Sequence, residues 1–148
     1  MVAQIKIKFE KGGIFIANML MEQAPKTCKT VLELLPFQGK VGHAMFSGQL
    51  LSTDIDTKLT KLENPRVYGL RPGDITLNIH HIPIQSPDGR LIPHEIHFIY
   101  GPMIVERDFG GYSPANFCAK ITEDSLKELE KVARRIRTSG MEKVSIKR

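Results

Sequence analysis

The sequence predicts a mainly β, α+β fold in which a closed barrel of strands is capped by two helices. Three observations lead to this fold class. Several segments alternate apolar and polar residues, as half-buried strands do. Two other segments carry apolar residues at helical spacing. The 12 glycines and 9 prolines indicate the many turns of a β-rich fold, and helices over the open ends of a barrel would bury both apolar stripes.

A hairpin is predicted at the start of the chain. Apolar and polar residues alternate over residues 4–9, which is typical of a strand with one buried face. Gly12-Gly13 marks a tight turn, and the returning strand begins at Ile14.

A helix is predicted next, because Pro25 suits the first helical turn, where its missing N–H costs nothing. One buried stripe is formed by the residues at i, i+3, i+4 and i+7, namely Cys28, Val31, Leu32 and Leu35. Pro36 is expected to end this helix.

The middle of the chain is predicted to hold strands separated by turns. One or two strands are expected from Lys40 to Leu51, and the polar segment from Asp54 to Glu63 is expected to be a loop. Alternation over residues 75–80 and over 95–100 predicts two strands that pair across the strong turn at 86–89. The region from Lys40 to Leu51 contains His43, Phe46 and Gly48.

In the last third of the chain, the sequence predicts a strand at residues 116–121, then a helix, and then a short strand at residues 143–146. Thr122 is the expected N-cap and Gly140 the expected stop of the helix. Its apolar stripe consists of Leu126, Leu129, Val132, Ala133 and Ile136, and the basic residues that suit its C-terminus are Arg134, Arg135 and Arg137.

Composition narrows the functional classes. The net charge of +5 comes mainly from basic residues near the two ends of the chain, without interleaved aromatics, so we expect no nucleic-acid partner. No apolar run approaches the length of a membrane span and no signal-peptide pattern is present, so we expect a soluble cytoplasmic protein without a membrane partner. Cys28 and Cys118 are expected to be buried free thiols.

A series of short motifs resembles a known family. Ala24-Pro25-Lys26-Thr27 resembles the segment that precedes the first helix of cyclophilins. The remaining motifs are Leu34-Leu35-Pro36, His43-Ala44-Met45-Phe46-Ser47-Gly48, Glu63-Asn64-Pro65 with Tyr68, Pro72-Gly73-Asp74, Glu95-Ile96 with Tyr100-Gly101, and Asn116-Phe117. In their order and spacing they resemble a bacterial family of cyclophilin-like proteins without assigned function, the domain of unknown function family 3830.

The resemblance implies a single cyclophilin-like domain over residues 1–148, built as a closed barrel of about eight strands with helices at its ends. It implies no mechanism. The chain departs from the family in two places. Phe46 stands where the family usually has Trp, and the segment from Asn78 to His94 is longer and richer in His and Pro than expected.

Prolyl isomerisation is the first alternative that the resemblance raises. Cyclophilins carry a Phe-His-Arg segment whose arginine polarises the prolyl bond. When the aromatic residue is matched to Phe46, Ser47 and Gly48 stand where His and Arg would be, and glycine cannot donate bidentate guanidinium hydrogen bonds. The activity would need a displaced arginine, for which the candidates are Arg66, Arg71 and Arg107.

Glu95 and His97 are the candidate catalytic pair. Side chains at i and i+2 of a strand share a face, so both can point into one groove. A carboxylate beside an imidazole can perform general acid–base work when burial brings the two pKa values near neutrality. A polar strand face without a catalytic role is the alternative interpretation.

The histidines near Glu95 form a candidate metal site. They are His80, His81, His94 and His97. Neutral imidazoles and a carboxylate suit zinc or a similar metal, but no compact motif such as HExxH is present. Solvated hairpin histidines are the simpler interpretation, and we expect no cofactor.

The sequence predicts a protein that binds a small molecule in a groove at the barrel. The residues expected to line the groove are Phe46, Ser47, Gly48, Asn78, His80, Tyr100 and Arg107. Fold analogy alone extends this prediction to an accessory enzyme of amino-acid or cyclic-amide metabolism. The second alternative is a non-catalytic oligomeric interaction module, with a barrel edge or the segment from Asp54 to Glu63 as its surface. The sequence leaves open whether the protein is an enzyme and whether it is a homo-oligomer.

Overall fold

Eight antiparallel strands close into a barrel in the computed structural model, which describes residues 3–79, 85, 87–91, 93–108 and 111–148. In chain order the strands are β1 (Gln4–Phe9), β2 (Ile14–Met19), β3 (Phe37–His43), β4 (Gly48–Ile55), β5 (Pro65–Arg66), β6 (Asp74–Asn78), β7 (His94–Ile104), β8 (Arg107–Asp108), β9 (Gly111–Tyr112), β10 (Ala115–Ile121) and β11 (Glu142–Lys147). The helices are α1 (Pro25–Glu33), α2 (Glu123–Leu126) and α3 (Leu129–Ser139).

The barrel closes between its first hairpin and β10. Neighbouring strands follow the order β2-β1-β11-β3-β4-β7-β6-β10, and β10 then pairs with β2, with Ala119 opposite Met19. The two-residue strands β5, β8 and β9 lie outside this ring. The predicted closed barrel of about eight strands is confirmed, as are the first hairpin and the pairing of β6 with β7.

The barrel interior is filled by the apolar residues whose alternation predicted the strands. Phe9 packs edge-to-face against Phe15 and Phe98, with ring centroids 5.6 and 5.9 Å apart. Both predicted stripes pack against this core, although Leu35 lies beyond the end of α1 and Leu126 belongs to α2, and these two residues are only partly buried. Cys28 and Cys118 are buried and free, as predicted. Burial raises the pKa of the Cys28 thiol to about 11, so the group stays neutral.

Some local predictions were wrong. The late helix is interrupted at residues 127–128. Thr122 is its N-cap, as predicted, but its hydroxyl lies 3.1 Å from that of Ser125 and caps no backbone N–H in the described part of the chain. Phe46 lies in the turn between β3 and β4, and β4 continues to Ile55. The first helix ends at Glu33, two residues before Leu35. None of the helices in the described ranges is long and apolar enough to cross a membrane.

Three of the sequence motifs form one hydrogen-bonded junction outside the barrel. The Glu63 carboxylate accepts the backbone N–H groups of Thr27 (2.8 Å) and Lys26 (3.3 Å) at the start of α1. The Asn116 side chain accepts the Glu63 N–H and donates to the Thr27 hydroxyl. The Asn64 amide donates to the distant Phe117 carbonyl at 2.9 Å. These motif residues therefore fix the position of α1.

Glu63→Gln should lower the free energy of unfolding by about 1 kcal/mol, because a charged cap on the α1 N-terminus is lost. Burial alone would raise the pKa of Glu63, but the N–H groups of Thr27 and Lys26 lower it, so the carboxylate is the bound form. Urea denaturation measures the change. Glu33→Gln, at the exposed other end of α1, is the control and should change stability by less than about 0.5 kcal/mol. Equal effects of the two variants would contradict the capping role.

Candidate functional site

The candidate site lies on the outer face of the barrel, along β6 and β7. Ile96 and Phe98 point into the barrel core, so the alternating residues Glu95 and His97 point outward. The same alternation turns two polar residues of β6 outward, where Thr76 is opposite His97 and Asn78 is opposite Glu95. Thr76 and Asn78 are nevertheless buried. This outer face is therefore covered by another part of the chain.

The covering segment is the irregular stretch after β7. Its backbone is fixed at several points: the Val105 N–H donates to the Ser47 carbonyl at 2.9 Å, and the Glu106 N–H donates to that of Val67 at 2.6 Å. Gly48 lies beside it with φ +105°, and a Cβ there would collide with the Met103 carbonyl. The pairing of β4 with β7 shifts register between Gly48 and Leu50, so a β-bulge lies at this close approach.

A second apolar cluster accompanies the covering segment on the outer face. Its buried members are Leu50, Leu70, Ile99 and Ile104. They come from β4, from β7 and, in the case of Leu70, from the chain between β5 and β6, so apolar packing also covers this outer face. The polar residues beside the cluster are consequently shielded from water.

The fully buried carboxylate of Glu106 contacts His97, which in turn contacts Glu95. Its Oε1 and Oε2 lie 2.9 and 2.8 Å from His97 Nδ1, and Glu95 Oε2 lies 2.7 Å from His97 Nε2. The exposed side-chain fractions are 0% for Glu106, 2% for His97 and 27% for Glu95. We call these three residues the triad. Only its Glu95 end reaches solvent.

Three neutral side chains complete the surroundings of Glu106. The Thr76 hydroxyl donates to Oε1 at 3.1 Å, and the Asn78 amide donates to Oε2 at 3.4 Å. Asn78 in turn accepts a hydrogen bond from the Ser113 hydroxyl at 3.2 Å. The buried carboxylate thus has donors on both oxygens, as a buried charge requires.

The triad holds His97 as an imidazolium. Burial alone would lower the pKa of His97, but the charge of Glu106 and the hydrogen bonds to both carboxylates outweigh it and raise the pKa from 6.5 to about 10. Both ring nitrogens face carboxylate oxygens, so both donate. With two carboxylates and one imidazolium, the triad has a net charge of −1. Glu95 is the member of the triad that reaches solvent.

A further carboxylate lies next to Glu95. Asp54 on β4 is directly opposite Glu95 in the β4–β7 pairing. Burial and the charge of Glu95 raise the pKa of Asp54. The exposed end of the triad is therefore a place where a proton or a cationic group is favoured.

In this arrangement the two predicted catalytic residues can play different chemical roles. His97 has both nitrogens protonated and bonded, so it orients Glu95 and stabilises its charge. Glu95 is the member that can accept a proton from, or form an ion pair with, a molecule at the surface. The catalytic role of both residues stays a prediction.

The other predicted ligand-binding residues lie in different places. Ser47 is buried and donates to the Arg107 carbonyl at 3.3 Å, whereas Phe46 is partly exposed in its turn. Asn78 supports Glu106, as described above. Gly48 and Tyr100 line a separate groove at one end of the barrel. The structure thus divides the predicted single groove into two regions.

Two of the three candidate arginines, Arg66 and Arg107, lie over aromatic rings. The Arg66 guanidinium carbon lies 5.7 Å from the ring centroid of Phe117, and that of Arg107 lies 5.7 Å from that of Tyr112. Arg107 Nε is buried and has no hydrogen-bond partner within the described part of the chain. Arg71 contributes its backbone N–H to Asp74 at 2.8 Å.

The candidate metal ligands are not brought together in the described residues. His80 and His81 lie outside the described residues, and His94 is the first residue of β7. Both ring nitrogens of His97 are occupied by carboxylates. Across the described ranges, no three His, Cys, Asp or Glu side chains are arranged to hold a metal ion.

Sequence reasoning missed Glu106, which completes the triad, and its supports Thr76 and Ser113. Glu106 lies in a segment without periodicity, so nothing in the sequence indicated its burial. One signal was available in β6, whose polar residues alternate with apolar ones and therefore had to face either water or a polar cover.

Comparison with known proteins shows the family and the fold. Residues 7–147 match the family model described as a protein of unknown function, DUF3830. No curated protein matches the sequence. The structure of McbB in complex with tryptophan superposes with a TM-score of 0.74 at 20% identity, over 98% of this chain and 44% of the McbB chain. This chain therefore spans less than half of the length of that protein.

Two further structures have the same fold. A hypothetical protein from Archaeoglobus fulgidus gives a TM-score of 0.62 at 19% identity, covering 98% of this chain and 93% of its own. A cyclophilin-type peptidyl-prolyl cis-trans isomerase from Cryptosporidium parvum, solved in the presence of the dipeptide Ala-Pro, gives 0.58 at 11% identity, covering 97% of each chain. The chain belongs to the DUF3830 family of proteins of unknown function, and its barrel has the cyclophilin-like fold.

Proposed function

We propose that the protein binds a small organic molecule with a basic nitrogen against Glu95 and moves a proton at that carboxylate. The observation that carries the proposal is the burial of an imidazolium between two carboxylates, with only one of them reaching solvent. Taking ions out of water costs several kcal/mol for each ion before any pairing. Strongly perturbed ionisable groups are concentrated at functional sites, although purely structural ion pairs also occur.

The charge distribution favours a cationic or N–H-bearing ligand. The net charge of −1 on the triad and the neighbouring Asp54 make the surface at Glu95 acidic. An ammonium group placed there would gain a charge-assisted hydrogen bond. An anionic ligand would meet the repulsion of both carboxylates.

The proton step follows from which groups are already protonated. Glu95 accepts a proton from the bound molecule, while His97 keeps both of its own protons and its bond to Glu106. The charge of the triad then changes from −1 to zero. A positioned general base of this kind accelerates a reaction by about 10²- to 10⁴-fold. Glu106, held by Thr76 and Asn78, keeps the imidazolium in place throughout.

The ligand class also agrees with a protein of the same fold. McbB has been solved with tryptophan, an amino acid that carries an ammonium group and an aromatic body. We therefore include amino acids and amines derived from them in the proposed ligand class, which corresponds to an accessory role in amino-acid metabolism.

Tryptamine binding tests this proposal. Calorimetry on the wild-type protein should detect saturable binding of tryptamine, and Glu95→Gln should weaken it at least tenfold, or about 1.4 kcal/mol, because the ion pair is lost. Indole-3-propionate, which has a similar body and the opposite charge, should bind more weakly than tryptamine.

Glu22→Gln is the matched control, since Glu22 is an exposed carboxylate in the turn after β2. It should leave tryptamine affinity within twofold of wild type. The proposal is overturned if neither tryptamine nor tryptophan binds. Equal affinities for the amine and the acid, or an unchanged affinity in Glu95→Gln, would also overturn it and leave the triad a structural ion-pair network.

A further inference from the structure

A second groove opens at one end of the barrel, on the opposite side of β7 from the triad. It has a volume of about 600 Å³, within the range of small-molecule sites. Its walls come from β3 and β4 with the turn between them, from β7 and from the last turn of α3. They include His43, Met45, Gln49, Tyr100, Met103 and Arg137. Tyr100 belongs to the apolar core inside the barrel, whereas Glu95 and His97 face outward. The two regions therefore share no residue.

A fixed hydrogen-bonded pair forms the floor of this groove. His43 Nδ1 donates to the Ala44 carbonyl at 2.8 Å, and Nε2 accepts the Tyr100 hydroxyl at 2.5 Å. The two rings pack edge-to-face with centroids 5.5 Å apart. Burial raises the pKa of Tyr100 despite the nearby Arg137 charge, so the phenol remains the donor.

Arg137 gives the groove a positive charge. The neighbouring arginines of α3 are both paired, Arg134 with Glu130 and Arg135 with Glu142. Within the described part of the chain, Arg137 has no carboxylate at salt-bridge distance. A guanidinium that lines a groove and has no carboxylate partner among the described residues is suited to bind the carboxylate of a ligand.

Gln49 adds a second donor to the lining of the groove. Its Oε1 accepts the Met103 N–H at 3.0 Å, so the side-chain oxygen is oriented toward the backbone. Within the described residues, the amide NH₂ group has no acceptor at hydrogen-bond distance and can donate to a ligand. The Gln49 amide lies against Gly101, where a Cβ would collide with it, so a glycine at 101 is needed for this position.

The rim of the groove is apolar. Met45 and Met103 are 85% and 75% exposed, which is unusual for large apolar side chains in a protein with few aromatic residues. Methionine is flexible and polarisable, so it adapts to ligands of different shape. Two exposed methionines at the mouth of one groove favour a ligand with an apolar body.

We propose that this groove is a binding site for a small carboxylic acid with an apolar body, whose carboxylate pairs with Arg137 and Gln49 and whose body lies between Met45 and Met103. The His43–Tyr100 pair forms the polar floor beneath it. This site is independent of the one at Glu95, because it uses other residues and binds a ligand of the opposite charge.

The test uses 3-phenylpropionate as the probe and methyl-labelled methionine as the reporter. In methyl NMR spectra, saturable shifts are expected at Met45 and Met103, and not at Met21, which is exposed in the turn after β2, or at buried Met19. The neutral analogue 3-phenylpropanol should bind at least tenfold more weakly.

Two arginine variants on α3 distinguish a specific ion pair at Arg137 from a general effect of positive charge on this helix. Arg137→Gln should weaken 3-phenylpropionate binding at least tenfold. Arg134→Gln, the same change three residues earlier in α3, should alter it by less than twofold. Glu95→Gln should leave this binding unchanged, which distinguishes failure here from failure of the proposed function. The proposal is overturned if the acid and the alcohol bind equally, if both arginine variants behave alike, or if no saturable methionine shift occurs.

Discussion

Glu106→Gln is expected to lower the free energy of unfolding by about 3–5 kcal/mol, which is the effect of removing one partner from a buried ion pair. The substitution keeps the size of the side chain but removes the charge that faces His97 Nδ1. The imidazolium then has only Glu95 as a counter-charge. Because small domains are stable by only about 5–15 kcal/mol, chemical denaturation should show the loss clearly.

Two further variants make this expectation specific. Glu130→Gln removes the carboxylate of an exposed pair with Arg134 and should cost about 0.5 kcal/mol or less. His97→Gln combined with Glu106→Gln should be less destabilised than Glu106→Gln alone, since no unpaired charge remains buried. If the Glu106 variant lost no more stability than the Glu130 variant, the buried pair would not contribute as described.

The expected cost explains why the triad matters for function as well as for the fold. A buried ion pair is often no better for stability than an apolar replacement of similar volume. Here the charges also produce a specific property, because they leave one oriented carboxylate at the surface with an imidazolium behind it. An apolar replacement of the three residues would preserve packing and lose that carboxylate.

Part of this site could be predicted from sequence and part could not. The i, i+2 relation on a strand placed Glu95 and His97 on one face, and the structure shows them in contact. Their burial depends on the segment after β7, which has no periodicity and is held by long-range backbone bonds such as Val105 to Ser47. Local patterns carry no information on such contacts.

The groove lined by His43 and Tyr100 could not be predicted from the sequence for the same reason. Tyr100 was predicted as a ligand residue, but its partner His43 is 57 positions away and reaches it only through the pairing of β3, β4 and β7. Arg137 was interpreted as a charge that complements the end of a helix, which is the usual role of such a residue. Only the closed barrel reveals that it lines a groove. The alternation that predicted the strands was sufficient for the fold, because it depends on neighbours in sequence.

The second large effect is expected in the pH dependence of stability. The pKa of His97 is about 10 in the folded protein against 6.5 for an ordinary histidine. Below pH 6.5 both states bind this proton, and the stabilisation is complete. Between these two values the folded state binds one proton more than the unfolded state, so the free energy of unfolding should fall by about 1.4 kcal/mol per pH unit. Above pH 10 the contribution of His97 is lost.

Urea denaturation at pH 6.5, 7.5 and 8.5 measures this slope, and His97→Gln supplies the reference. The upper limit of pH 8.5 matters because the buried Cys28 and Cys118 thiols have raised pKa values and also reduce stability once unfolded thiols ionise near pH 9. The variant retains both thiols, so it removes only the His97 contribution and should show a slope near zero over this range. Equal slopes in the two proteins would mean that His97 is not protonated in the folded state. The triad would then hold a neutral imidazole, and Glu95 could not owe its orientation to an imidazolium.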